Sequence, residues 1–566
     1  MRALLSALLL LAGAPTAYAQ LPFALDAEVW EATVGEDGAI YATGVFYGAV
    51  DFDPGPGVAA LTATSFDGFV AVYEADGTFR LALRIDAIGN GYLYMYGIAP
   101  GPDGSITIAG DLIDGADFDP GLGEHILTGS YRGFVARYTP DGSLGSAFFI
   151  ASPVSGSTGD AEAGWGCMMP TTEGRTFLCG RFNGTVDFDP GPGEAIRTSG
   201  PNSAFVVIYD AAGAFGEVRV VSGTAGVSFR VIRPDPAGGF ATLGHSSGTV
   251  DLDPGPDTFP LSPGPFIARY TMEMVPRDGF TLPVWANSFA VDTSEATYIT
   301  GSFDDPADFD PGPGTHLLTP RGYDAFVAKY DSSHALVYAF AIGGDSNLLV
   351  PTDGGQDIEA GDAGEAYATG YFTDDADFDP GPGEHILHGS FTQYVARYSA
   401  EGAIEYVFTL SSSGGIQQFV PRLVPRVGDT FLAYGSFSGS LDVDPGPGEV
   451  VLSSPRGTYF VPYHRDGRIV VAGEPEAPAA SALRVEVGPN PLSSHTVVVV
   501  TSPHAGPARV AVYDARGREI AVLLSGERAV GRHEVTFDAS ALAPGVYFVR
   551  AEAGARVATR ALTVLR

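Results

Sequence analysis

The chain has 566 residues, with 67 acidic against 31 basic side chains and a formal net charge of -36 at neutral pH. A polyanionic partner needs a basic footprint, so this balance argues against nucleic acid; the length exceeds one ordinary core, and no stretch offers the roughly 18 uninterrupted apolar residues of a membrane-spanning helix. The acidity itself fits a solvated surface suited to salt, or cation binding.

The first segment, "MRALLSALLLLAGAPTAYAQ", places Arg2 before an apolar run and ends in Ala17-Tyr18-Ala19, a small-x-small site before Gln20. It reads as a secretory signal peptide over residues 1–19, so the remainder is expected outside the cytoplasm.

From residue 20 to 473 one pattern returns seven times. Its marker is "DFDPGPG" (51–57), whose first Asp recurs at Asp51, Asp117, Asp187, Asp251, Asp308, Asp377 and Asp442, at intervals of 57 to 70 residues. Around each marker lie a strand such as "AYATGYF" (366–372), the acidic turn, a second strand such as "FVARY" (134–138), a small turn and a last strand such as "LVYAFAI" (336–342), with a weaker strand ahead. Four short strands per copy, with Gly-rich turns and no helical periodicity, predict a four-stranded antiparallel sheet. Seven such sheets bury both faces if arranged radially, which predicts an all-β fold: a seven-bladed β-propeller, with a β-solenoid as the alternative. "LPFAL" (21–25) echoes the end of a last strand and is expected to close the ring on the seventh copy.

The stretch "DAFVAKYDSSHALVYAFAIGG" (324–344) followed by "GEAYATGYF" (364–372) resembles the bacterial SBBP-type β-propeller repeat over roughly residues 21 to 474. The resemblance implies a propeller and an extracellular setting, and no single activity. The fourth copy departs from it, being shorter and lacking a Gly in "DLDPGPD".

Within each marker, Pro pre-sets a turn, Gly accepts positive φ, and the second Asp is suited to bond the amide two residues on. The middle residue is always apolar, so it is expected to point inward while both carboxylates point out. Fourteen carboxylates would then form a ring: Asp51, Asp53, Asp117, Asp119, Asp187, Asp189, Asp251, Asp253, Asp308, Asp310, Asp377, Asp379, Asp442 and Asp444. Paired Asp before a Gly turn resembles the start of a calcium loop, which makes these residues candidate calcium ligands. The third acid and the later Glu of such a loop are missing, although Glu124, Glu194, Glu384 and Glu449 follow in four copies. The competing reading is a structural turn.

Cys167 and Cys179, the only cysteines, flank a Glu173-Gly174-Arg175 turn and are expected to face each other across a hairpin, as a disulfide or as two small buried hydrophobes. His125, His316 and His385 follow the marker in three copies and are expected to be surface or turn residues. No Ser-His-Asp elbow, zinc spacing or phosphate loop occurs. "GWGCMM" (164–169) and "LPVWANSF" (282–289) are the most irregular stretches and the first places to seek an active site.

A Pro/Ala linker, 474–482, precedes a tail of alternating segments that predicts a small Ig-like β-sandwich of about seven strands. "GPNPLSS", "VYDARGREI", "GRHEVTFDASALAPGVYFVRA" and the closing "ALTVLR" are similar to the C-terminal sorting domain of type IX secretion substrates, over residues 483–566. The positions matching its motifs are Pro489, Asn490 and Pro491; Tyr513, Asp514 and Gly517; and Leu542, Pro544, Gly545 and Tyr547. The resemblance implies export through the periplasm, recognition by the type IX translocon, and release or attachment at the outer cell surface. The combined expectation is a secreted or surface β-propeller that binds an extracellular protein or glycan, or serves as structure, with either no cofactor or calcium. The alternatives are a calcium-dependent adhesin and a polysaccharide-acting hydrolase or lyase. An enzyme would require a non-repeated cluster of acids, Tyr or His on one face.

Overall fold

The computed structural model describes residues 21–153, 160–171, 173–344, 353–414, 421–426, 429–470, 484–488, 495–502, 506–514, 518–528, 531–539, 542, 545–553 and 556–564. All regular structure among them is β-strand. The leader and linker expected at 1–19 and 474–482 lie outside these residues. The chain divides into two compact units, Met1–Pro425 with Phe431–Ala472, and Gly473–Arg566 with Arg426–Thr430.

In the large unit the repeat becomes a four-stranded antiparallel meander, found seven times among the described residues. The first comprises Glu28–Val34, Ile40–Asp51, Ala60–Tyr73 and the start of Phe79–Pro100; the rest of that long strand opens the second. The following sheets open on Asp160–Pro170, Val227–Asp235, Ala286–Val291 and Gly354–Ala360. The seventh takes Arg422–Pro425, Thr430–Asp442 and Val451–His464, and its fourth strand is Phe23–Leu25 from the other end of the unit. Phe23 pairs with Phe460 and Leu25 with Thr458, so "LPFAL" joins the last copy as its echo implies.

Packing follows from the alternation. Seven hydrophobic clusters each draw on two successive sheets; one joins Phe46 and Phe69 of the first sheet to Leu432 and Phe460 of the seventh. Burying side chains of this size contributes about 1.5–3 kcal/mol each, which makes the contacts between sheets the main adhesive. The opening strand of each sheet also touches that of the next, and Arg422–Pro425 returns to Glu28–Val34. Within a sheet, a glycine on the second strand lets that strand lie close to its own opening strand: at Gly44, Gly110, Gly180 and Gly370 a Cβ would collide with a carbonyl oxygen of the opening strand.

Among the described residues the small unit holds two sheets. One orders Arg484–Gly488, His495–Ser502 and Gly531–Asp538; the other Glu519–Arg528, Gly506–Asp514, Gly545–Ala553 and Arg556–Val564. Both contribute to one cluster containing Val498, Val500, Val510, Val512, Val549 and Leu562. No helix among the described residues is long and apolar enough to cross a membrane.

Candidate functional site

Each acidic turn connects the second and third strands of its sheet, and the seven share one hydrogen-bond scheme. Oδ1 of the first Asp accepts the amide of the second Asp at 3.0–3.1 Å and the amide eight residues on at 2.7–3.0 Å, gripping both ends of the loop. Oδ1 of the second Asp accepts the Gly amide two residues on at 2.6–2.8 Å, the expected Asx-turn. These are charge-assisted bonds, about twice as strong as neutral ones. At Gly57, Gly123, Gly193, Gly314, Gly383 and Gly448 a Cβ would collide with Oδ2 of the second Asp. The fourth copy carries Asp257 at this place.

The apolar middle residues, Phe52, Phe118, Phe188, Leu252, Phe309, Phe378 and Val443, are at most 1% exposed. A tyrosine at the end of the third strand secures five of them from behind: the hydroxyls of Tyr138, Tyr270, Tyr330, Tyr398 and Tyr463 donate to the carbonyls of Phe118, Leu252, Phe309, Phe378 and Val443 at 2.8–3.3 Å. Tyr209 bonds the Ile150 carbonyl instead, and the buried Tyr73 hydroxyl has no partner among the described residues. His125 and His316 place Nε2 2.8 Å from the carbonyls of Ala147 and Ala339 in their own sheets, while the His385 amide donates to Asp377. Among the described residues no group of three or more His, Cys, Asp or Glu is disposed to hold a metal ion. The acidic turns therefore have the internal bonding of a structural loop.

A different arrangement lies where the opening strands meet. A cavity of about 390 Å³ is walled by six of the seven sheets. Its character comes from two positions on each opening strand, thirteen and eleven residues before the recurrent glycine. The first is occupied in turn by Glu31, Gly97, Cys167, Val231, Ser288, Asp357 and Arg422, the second by Thr33, Ala99, Met169, Arg233, Ala290, Glu359 and Val424. No residue recurs at the first position, and only alanine recurs at the second. Cys167 is joined to Cys179 on the neighbouring strand, with Cα atoms 4.8 Å apart, so the disulfide occupies a place where other copies carry charge.

Three acids and two arginines face this cavity. Arg422 Nη1 lies 2.9 Å from Glu31 Oε2; burial raises the Glu31 carboxyl above its ordinary range, against the pull of that guanidinium. Asp357 ties sheets together, accepting from Ser288 Oγ at 2.6 Å and from the Leu423 amide at 3.0 Å. Glu359 is pushed up to about 8 by burial and by the charge of Asp357, with Arg233 and Arg465 opposing. Among the described residues the Glu359 side chain has neither a hydrogen bond nor an ion pair, and the Arg233 guanidinium, whose charge acts on Glu31 and Glu359 through space, hydrogen-bonds only the Ile232 carbonyl at 3.5 Å. A chain of aromatic rings, from the exposed Tyr47 through Phe66, Tyr92 and Tyr94, ends at Tyr96 in the cavity wall, with centroids 4.8–6.0 Å apart.

Of the irregular stretches, "GWGCMM" supplies Gly166, Met168 and Met169 to the wall. "LPVWANSF" supplies Trp285, which packs against His245 at 4.9 Å and under the Arg230 guanidinium at 4.7 Å. The charges of the wall were missed because each is a single residue in one copy. Their signal is the failure of those two positions to repeat, visible once the copies are aligned on the glycine.

In the small unit, Tyr513 bonds Arg509 and Glu519, Leu542 and Tyr547 pack against the core, and Gly545 begins a strand. Asp514 ends its strand. Pro489, Asn490, Pro491, Gly517 and Pro544 lie outside the described residues.

Residues 486–564 match the family model of the secretion system C-terminal sorting domain. No curated protein matches the chain. Among solved structures, a protein of unknown function from Bacteroides caccae is 10% identical, with a TM-score of 0.29, covering 60% of this chain and 89% of its own. PorZ, a surface component of the type IX secretion system of Porphyromonas gingivalis, is 12% identical with a TM-score of 0.21, covering 95% and 82%. Dimeric latent PorU from the same organism is 12% identical with a TM-score of 0.14, covering 50% and 32%.

Proposed function

We propose that the chain is a type IX cargo in which a signal peptide (1–19), a seven-bladed β-propeller (20–473), a linker (474–482) and a β-sandwich sorting domain (483–566) follow one another. The propeller acts outside the cell as a binding platform, and its acidic turns are structural. The observation that carries the export reading is the sorting-domain match over 486–564. The propeller reading rests on seven antiparallel meanders, on clusters that each bridge successive sheets, and on the pairing of Phe23–Leu25 with the last copy. A solenoid has no need of that return contact.

The structural reading of the turns rests on their hydrogen bonds: each Asp places Oδ1 on backbone amides, and the first Asp grips both ends of its loop. A functional role is better sought where the copies differ, because loops and walls vary freely on a fixed scaffold.

Deleting residues 483–566 in a host with a type IX system tests the export reading. The truncated protein should accumulate in the periplasm while the full chain reaches the medium or the cell surface. Equal export of both forms would overturn it.

A further inference from the structure

We infer that the cavity between the opening strands is a binding site for a small organic carboxylate, held between Arg233 and Glu359. This deepens the platform reading above and rests on it; the export experiment can fail without touching it.

Two charged side chains of the cavity have no hydrogen-bonded ion-pair partner among the described residues. Of its five charged side chains, Glu31 and Arg422 are in contact with each other, and Asp357 spends both oxygens holding the fifth, sixth and seventh sheets together. Arg233 and Glu359 remain, at the same position on the opening strands of the fourth and sixth sheets. Both line the cavity, and among the described residues no ion pair joins them. A guanidinium that bonds only its neighbour's carbonyl offers a forked set of donors that matches a carboxylate. The volume, about 390 Å³, falls within the roughly 300–1,000 Å³ of small-ligand sites. Walls of Tyr96, Met168 and Val424 leave an apolar body room beside the charged end.

Protonation favours the same ligand. The groups around Glu359 are Asp357, Arg233 and Arg465, and Glu31 and Arg422 also line the cavity; burial and Asp357 keep Glu359 largely protonated at neutral pH. A neutral carboxyl can donate a hydrogen bond, so Arg233 and Glu359 then act as two donors toward one anion. Above about 8 Glu359 ionises and repels it. The larger cleft of about 640 Å³, between the first two sheets, is walled partly by the repeated turn at Asp119–Gly121 and offers no comparable convergence.

Two sources share this chemistry, a sugar acid and a peptide C-terminus. The test titrates the full mature protein by calorimetry with glucuronate and with N-acetylglycine, using glucose and N-acetylglycinamide as neutral counterparts. At least one carboxylate should bind saturably, about tenfold or more tighter than its neutral counterpart, and which one binds identifies the source. Arg233→Gln should weaken binding about tenfold or more, and Glu359→Gln should abolish the fall in affinity as pH rises through about 8. If Arg233→Gln does not fold, Thr33→Glu, which puts a further carboxylate into the cavity lining, should weaken binding comparably. Absence of binding by both carboxylates, equal binding of a neutral counterpart, or unchanged affinity in Arg233→Gln or Thr33→Glu would overturn the assignment.

Discussion

The acidic turns and the cavity wall are both built from seven equivalent places, yet they treat equivalence in opposite ways. At the turns, the two carboxylates, their amide partners and the buried middle residue recur in every copy. At the wall, the same strand positions hold Glu, Gly, Cys, Val, Ser, Asp and Arg in turn. Chemistry repeated sevenfold meets a need that every copy has, namely closing a loop and seating a strand pair. Chemistry present once meets a need that no single copy has. The charge total, to which the turns contribute fourteen acids, therefore says less about ligands than do five wall residues that barely change it.

The comparison can be broken first at a turn anchor. Phe378 is 1% exposed and packs between Phe372 and Tyr394, so Phe378→Ala should cost about 3–5 kcal/mol in urea unfolding. A loss below about 1 kcal/mol would mean that the turn does not seat the sheet. Next comes the grip of the first Asp. Asp377→Ala frees the amides of Asp379 and His385 and should cost about 1–3 kcal/mol, while Asp377→Asn, which keeps an oxygen acceptor, should cost less. Equal losses would assign the effect to charge instead of to hydrogen bonding.

A smaller contrast separates two copies. Tyr330→Phe removes a bond to the Phe309 carbonyl at 3.0 Å and should cost about 1 kcal/mol. Tyr73→Phe should be neutral or stabilising, since that hydroxyl is buried without a partner among the described residues. Equal, negligible effects of both variants would show that the tyrosines act through packing alone.

The subtlest effect concerns pH. Glu359 is raised in the folded protein to about 8, so the folded state holds its proton where the unfolded chain has released it. Its contribution to stability is complete below the unfolded value, near 4.5, declines as pH rises, and is gone above about 8. Buried Asp353, raised to about 7, slopes the same way. Glu359→Gln should flatten the decline in part; an unchanged slope would show that Glu359 is ionised in the folded state at neutral pH.

Much of the large unit was legible because its physics is local. The spacing of the markers, the turn chemistry of Pro and Gly, and the alternation around Phe52 or Phe378 together specify sheets, and "LPFAL" revealed its pairing by likeness to a last strand. The second role of the first Asp was not legible, since it depends on an amide eight residues away meeting the same oxygen. The tyrosine behind each turn was missed for a similar reason: it lies 18 to 21 residues on, in another strand. The wall was hidden further, because Arg233, Glu359 and Arg422 come together only when sheets from distant parts of the chain meet.

The most direct test of the contrast is the thermal midpoint of the protein in calcium, in magnesium and with a chelator. If the turns are loops closed by their own amides, the three midpoints coincide. A midpoint raised by calcium alone, equivalent to about 2.7 kcal/mol at a hundredfold excess over the dissociation constant, would make the fourteen carboxylates ion sites and contradict the account.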